Sequence, residues 1–244
     1  LQEAGQITIT SVNEGKTNRN PQPPFTTDTL LQAANSTLGW PVSKTSRIAS
    51  ALYHAGHITY IRTDSTRTNS DARNKIRNHI KEKYGESHLG PGVLGSDAKK
   101  GASNIQDAHE AIRPTRPSNT SISGADSDWK SLYALIWARF AASQMSASVR
   151  ERRDLQASVE GTDKALNGTA SWRTHPGWEA VYAQYHGDVK TSPPDSPLTD
   201  GAVWKIDVSE DNPFMKTDET KPPKRFSESS IIQQMKKEGI GRPS

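Results

Sequence analysis

Residues 6–12, QITITSV, alternate apolar and polar side chains with the two-residue period of a half-buried strand. A polar stretch, Asn13–Pro24, follows and ends in consecutive prolines, which reads as a linker. The period then lengthens. A helix is expected from Thr27 or Asp28 to Leu38, closed by Gly39, and a second from Ser43 to about Ala55, with Ile48 and Leu52 on one face and Gly56 at its end. Residues 57–63 read as a short strand. A third helix starts near Ser70, carries Ile76 and Ile80 one turn apart, and stops at Gly85. Leu89–Ser103 is a Gly-rich loop, and Ile105–Arg113 a short helix stopped by Pro114.

The strongest amphipathic pattern spans Ser127–Ser143, with Trp129, Leu132, Tyr133, Ile136, Trp137 and Phe140 at helical spacing. Those aromatics fit a core better than a base-stacking platform. From Arg153 the period shortens again. Leu155–Val159, Gly168–Arg173, Glu179–Tyr185 and Val203–Val208 read as strands, Thr191–Asp200 as a loop, and Ser227–Lys237 as a final helix. A helical block therefore interrupts a β-rich one, which predicts an α+β chain.

Composition changes the picture in two ways. Apolar residues with glycine reach only about 39%, below the 45–50% usual for a globular domain, which suits a multi-lobed, open shape. Cysteine is absent, which removes disulfides, thiolate metal sites and cysteine nucleophiles, and fits a reducing compartment. No run reaches the ~18–20 apolar residues of a membrane span. The net charge of +4 decides little, but its distribution is uneven. From Lys44 to Lys83 there are nine Lys/Arg and three acids (Asp64, Asp71, Glu82). That excess is either a phosphate-binding footprint or a solvated basic helix face.

Two places could carry chemistry. On a strand Tyr60 and Arg62 face one side. A phenol ionises near pH 10, so making phenolate at pH 7 costs about 4 kcal/mol, and a neighbouring guanidinium lowers that cost while binding a phosphate oxygen. Such a pair suits attack on a phosphodiester, although a bare Tyr-x-Arg is more often a half-buried tyrosine beside a surface arginine. On the expected Ile105–Arg113 helix, His109 and Arg113 are four apart and share a face that could hold phosphate. A lone histidine there is usually structural.

Five runs in order alter that balance. Pro24–Leu30 (PFTTDTL), Gly56–Arg67 (GHITYIRTDSTR), Asp107–Pro114 (DAHEAIRP), Lys221–Phe226 (KPPKRF) and Gly239–Ser244 (GIGRPS) resemble, across most of the chain, the motifs of type IA DNA topoisomerases. The version ITYIRTDST is more similar to bacterial topoisomerase I than to topoisomerase III; reverse gyrase carries a similar run.

The resemblance implies that Tyr60 is the nucleophile that joins the 5′ phosphate of a cut strand. Arg62 would position and neutralise that phosphate, His109 would contact it, and Arg242, Arg113, Arg67, Ser65 and Thr63 would hold DNA. It implies an isomerase that cuts, passes and reseals one strand of underwound DNA without ATP, relaxing negative supercoils. Residues 21–149 would form a helical gate domain inserted into a β-rich arch of 1–20 and 150–213, with 214–244 starting a further domain. Both chain ends look cut. A magnesium-binding Toprim domain is expected ahead of this region, so Mg2+ belongs to the full-length enzyme and the fragment itself is expected to bind no metal and to be inactive. Asp126 and Asp128 have the spacing of a metal pair but precede a helix and read as caps. The implied partner is single-stranded DNA, with no membrane, a monomeric state and a cytoplasmic, nucleoid-associated location. A different class, a non-catalytic single-strand-binding module of the same fold, stays open. A tyrosine recombinase does not fit, because Tyr60 precedes His109 and Arg113.

Overall fold

The computed structural model describes residues 5–93, 109–185, 189–205 and 218–240. The chain divides into two compact units. One comprises Leu1–Arg19, Ser148–Pro176 and Gly187–Lys224, the other Asn20–Ala147, Gly177–His186 and Arg225–Ser244.

The first unit is a four-stranded antiparallel sheet of β1 (Gln6–Arg19), β2 (Ser148–Val159), β3 (Ala165–His175) and β4 (Val203–Lys205), in the order β3-β2-β1-β4. β1 and β2 pair from Ile7↔Val159 to Arg19↔Ser148, with one bulge between Ile9 and Ser11. Its apolar centre is small: Ile9, Leu155 and Ala157, with Val12, Leu166 and Trp204 packed against them. The strands are longer than the alternation predicts. Residues 13–19 belong to β1 and are not a linker. Their partners on β2 are equally polar, and the ladder itself supplies the pairing. Cross-strand contacts add to it: Arg153 pairs with Glu14 at 3.0 Å and lies over the Trp172 ring at 5.3 Å. The end of the expected Val203–Val208 strand lies outside the described residues.

The second unit is helical: α1 (Thr27–Leu38), α2 (Val42–His54), α3 (Ser70–Tyr84), α4 (Ser127–Ala142) and α5 (Glu228–Lys237). α4 is buried nearly all round, through Leu132, Tyr133, Leu135, Ile136, Trp137 and Phe140. The aromatic stripe is thus core. Two of its polar tips are satisfied inside: Tyr133 Oη donates to the Asn119 carbonyl at 2.7 Å and Trp137 Nε1 to the Pro117 carbonyl at 2.8 Å. Burial pushes the Tyr133 phenol up to about 12. Asp126 caps α4 by accepting from Trp129 N at 2.9 Å, and Asp128 pairs with Lys44 at 2.9 Å.

Residues 57–63, expected as a short strand, carry only an isolated bridge from Ile58 to Pro114, and two further elements differ from the pattern-based expectation. Gly177–Tyr185 forms 3-10 turns where a strand was expected over Glu179–Tyr185. Trp178, Val181, Tyr182 and Tyr185 are spaced three and four apart, and this apolar face packs on the helical core. The turns begin at Gly177, where φ is +49° and a methyl group would overlap the Ala147 carbonyl. The second difference concerns the helix expected over Ile105–Arg113. Residues 105–108 lie outside the described residues, while 109–113 are extended. Ile112 N donates to the Phe25 carbonyl at 2.8 Å, Ile112 is 1% exposed, and Pro114 disfavours helix in the residue before it.

Candidate active site

The site grows from the end of α2. Gly56 adopts φ +75°, the left-handed geometry glycine enters without penalty. Its N–H donates to the Tyr53 carbonyl at 2.8 Å, and His57 N donates to the Leu52 carbonyl at 2.9 Å. This pair of bonds is a Schellman closure. It turns the chain back on itself, so residues 57–68 leave the helix as an irregular extended segment. Ile58 anchors that segment in the core at 1% exposure.

Hydroxyl groups fix the segment on both sides. Thr59 N donates to the Arg113 carbonyl at 2.9 Å. Its Oγ1 donates to the Ala111 carbonyl at 2.7 Å and accepts from Arg113 N at 3.0 Å. Thr115 N donates to the His57 carbonyl at 3.0 Å, and Ala111 N to the Arg67 carbonyl at 2.8 Å. From the other side, Thr27 Oγ1 at the start of α1 donates to the Ile61 carbonyl at 2.7 Å and accepts from Thr63 N at 2.9 Å. The PFTT, ITYIRTDST and HEAIRP runs therefore meet as three backbone neighbours.

The expected site residues fall into two groups. Tyr60 and His109 come together, with ring centroids 5.2 Å apart and planes tilted by 44°. The Tyr60 ring is 37% exposed, and among the described residues its hydroxyl makes no hydrogen bond. Arg62 is exposed, and its guanidinium has no hydrogen bond or ion pair among the described residues. The other group is turned to internal work. Thr63 Oγ1 accepts from Ser65 N at 3.0 Å and Ser65 Oγ from Arg67 N at 3.2 Å, with both residues buried. These bonds shape the loop between Arg62 and α3. Arg113 is gripped by Glu110, through Nε at 2.7 Å and Nη2 at 2.5 Å, and its Nη1 donates to the Pro114 carbonyl at 3.0 Å. His109 and Arg113 are not on one helical face, because residues 109–113 are extended. Arg242 lies outside the described residues.

Sequence reasoning passed over Tyr53, whose ring stands 5.3 Å from that of Tyr60 at 66°. It also passed over the hydroxyls of Thr27, Thr59 and Thr115, which leave no periodic signal. Glu110 stands three residues before Arg113, a spacing at which the two would also pair on a helix.

Among the described residues no group of three or more His, Cys, Asp or Glu comes together. Asp64, four residues after Tyr60, is exposed, and Glu110, next to His109, is committed to Arg113. These side chains do not make a magnesium site.

Comparison with known proteins agrees with the motif order. The family model described as DNA topoisomerase matches residues 1–244. DNA topoisomerase 1 of Escherichia coli (strain K12) is 36% identical over 247 residues, covering 100% of this chain and 27% of that protein. The Thermotoga maritima DNA topoisomerase 1 is 38% identical over 235 residues, covering 92% of this chain and 35% of that protein. A structure of full-length topoisomerase I from Thermotoga maritima superposes with a TM-score of 0.80 at 33% identity, over 98% of this chain and 39% of that one. The chain thus spans about a quarter to two fifths of the length of these relatives. Matched along its whole length and carrying the five motifs in order, the chain belongs to the type IA DNA topoisomerases.

Proposed function

We propose that Tyr60 is the nucleophile in a reaction that cuts and reseals one DNA strand. The observation that carries this is the placement of Tyr60: a half-exposed phenol held against His109, its hydroxyl unengaged among the described residues, two positions from an exposed, unpaired arginine. The phenolic oxygen forms a bond to the phosphorus, the bond from phosphorus to the 3′ oxygen breaks, and the proton lost by the phenol is balanced by one gained at the 3′ oxygen. The 5′-phosphotyrosine conserves the ester, so the reverse step reseals the strand without ATP. Arg62 neutralises the phosphate during attack, and His109 contacts it. Thr63 and Ser65 serve by holding the loop that presents Arg62, and Arg113 serves through its pairing with Glu110. Arg67 and Arg242 bind the strand backbone.

In the full-length protein the helical unit acts as the gate that carries Tyr60 and the sheet unit as the arch that lets it move. α5, grouped with the helical unit by its contacts, leads into the next domain. Magnesium would be held by the acidic residues of a Toprim domain elsewhere in the polypeptide, where it would supply positive charge. The substrate is the single-stranded part of underwound DNA, bound by a monomer in the cytoplasm. The 244-residue chain alone binds single strands weakly and does not cleave, since among the described residues no acidic cluster comes together.

The test is Tyr60→Phe in the full-length protein. Relaxation of negatively supercoiled plasmid is lost while binding to a single-stranded oligonucleotide persists. Relaxation at the wild-type rate refutes the assignment.

A further inference from the structure

Two rings stand beside that of Tyr60, and only one of them belongs to the recognised motifs. His109 supplies one ring; the other is Tyr53, on the last turn of α2. We propose that Tyr53 is a positioning residue for the attacking phenol, acting through the face and edge of its ring and not through its hydroxyl. This rests on the reading of Tyr60 as nucleophile given above.

The geometry carries the inference. Tyr53 and Tyr60 meet at 5.3 Å and 66°, an edge-on arrangement favoured by the ring quadrupole. Both rings are 37% exposed, so neither is immobilised by core packing. Tyr60 sits on an irregular segment, and its hydroxyl makes no hydrogen bond among the described residues. The rotamer of Tyr60 is therefore set by its two ring neighbours and its backbone. Tyr53 is the better anchored of the two tyrosines. It lies in a helix whose end is locked by the Gly56 and His57 bonds, and Ile48 and Leu52 of the same helix are fully buried. The Schellman turn brings a residue seven positions later back against it. The Tyr53 hydroxyl has no hydrogen-bond partner among the described residues, which argues against a polar role.

Edge-to-face pairs bias a ring's orientation enough to change its aligned population about three- to tenfold. The experiment uses the full-length protein, a 5′-labelled single-stranded oligonucleotide and single-turnover cleavage. Tyr53→Phe keeps the ring and is expected to cleave within twofold of wild type. Tyr53→Leu and Tyr53→Gln lose the ring and are expected to cleave about three- to tenfold more slowly, at an unchanged dissociation constant. The pH dependence of cleavage should keep its shape in all three. Melting temperatures identify any variant that is merely unfolded, and two ring-less substitutions protect the test against one such failure. Unchanged cleavage in both ring-less variants overturns the proposal. Equal loss in Tyr53→Phe also overturns it, because the hydroxyl would then be the active part. So does weakened binding at a constant cleavage rate, which would make Tyr53 a DNA contact. Tyr60→Phe run alongside separates the two claims: cleavage persisting there sinks the nucleophile assignment itself.

Discussion

Removing one hydroxyl at Thr59 should loosen the joint between the Tyr60 segment and the His109 segment. Thr59→Val keeps the side-chain volume and the β-branched shape. It deletes an oxygen that donates to the Ala111 carbonyl at 2.7 Å and accepts from Arg113 N at 3.0 Å. Ala111 is fully buried and the Arg113 side chain is 11% exposed, so water reaches neither backbone group easily. An unsatisfied buried polar group costs about 1–3 kcal/mol. Two partly relieved groups therefore give about 2–3 kcal/mol of destabilisation. The Thr59 N–H bond to the Arg113 carbonyl remains and keeps the loss from being larger. Urea titration of the chain, followed by tryptophan fluorescence, reads this as a midpoint shift. With a slope of about 1–3 kcal/mol per molar, the midpoint should fall by roughly 1 M or more. Thr59→Ser restores the oxygen and should recover most of the shift. A Thr59→Val midpoint within about 0.2 M of wild type, at an unchanged slope, refutes the reasoning. It would mean that backbone pairing alone holds the two segments.

Other consequences are smaller or more local. Burial, with help from Lys83 and against Glu82, pushes His79 below its ordinary value, and its ring meets Trp137 at 5.5 Å. The unfolded chain then binds more protons, so stability is present above pH 6.5 and falls as the pH drops from there through the folded value. His79→Phe should show a flatter urea midpoint between pH 7 and 5; an equally steep fall in the variant counts against His79 as the titrating group. Burial raises the Asp28 carboxyl, but hydrogen bonds from Lys236 and Thr26 more than offset this and hold it below its usual value. Its contribution is full above the unfolded carboxylate value and is lost as pH falls through the folded one. Because Lys236 is mostly exposed, Asp28→Asn should cost about 0–1 kcal/mol and show as faster amide exchange in α5, an effect that high salt should mimic in wild type. No change in α5 exchange would leave the 2.7 Å pair without energetic weight. Trp137→Phe removes the buried bond to the Pro117 carbonyl and should cost about 2–4 kcal/mol by the same urea titration, whereas a loss under about 0.5 kcal/mol would place water at that carbonyl.

The sequence made some elements legible and concealed others for definite reasons. α1 to α3 each bury a periodic face, α4 is buried nearly all round, and all four end where a left-handed glycine or an irregular turn takes over, so pattern and structure coincide within a residue or two. The polar half of β1 was hidden because its strand partners are as polar as it is. Nothing in NEGKTNR announces burial, and only pairing with RERR on β2 makes it a strand. Glu179–Tyr185 misled in the opposite direction: a short apolar run without strict alternation fits either state, and packing decides. His109–Arg113 was mistaken for helix because its composition suits one. Its backbone bonds go instead to Phe25 and Thr59, residues far away in sequence.

The same distinction governs the charged residues of the site. Identity told which residues stand near Tyr60, but not which of them have charge to spare. Arg62, Arg67 and Arg113 look alike in the sequence. Arg113 is held in a two-pronged grip by Glu110 and by its own neighbour's carbonyl, so a phosphate would have to compete with a carboxylate already in place. Arg62 has no intramolecular competitor among the described residues and stands in solvent two positions from Tyr60. A guanidinium so placed meets a phosphate without first breaking a protein contact, at the cost of its own ordering and partial desolvation. The loop that presents it is closed by the inward-facing hydroxyls of Thr63 and Ser65. The RTDS run thus divides its work: alternate residues tie the backbone down, and the arginine between the tyrosine and those ties keeps its charge unpaired among the described residues.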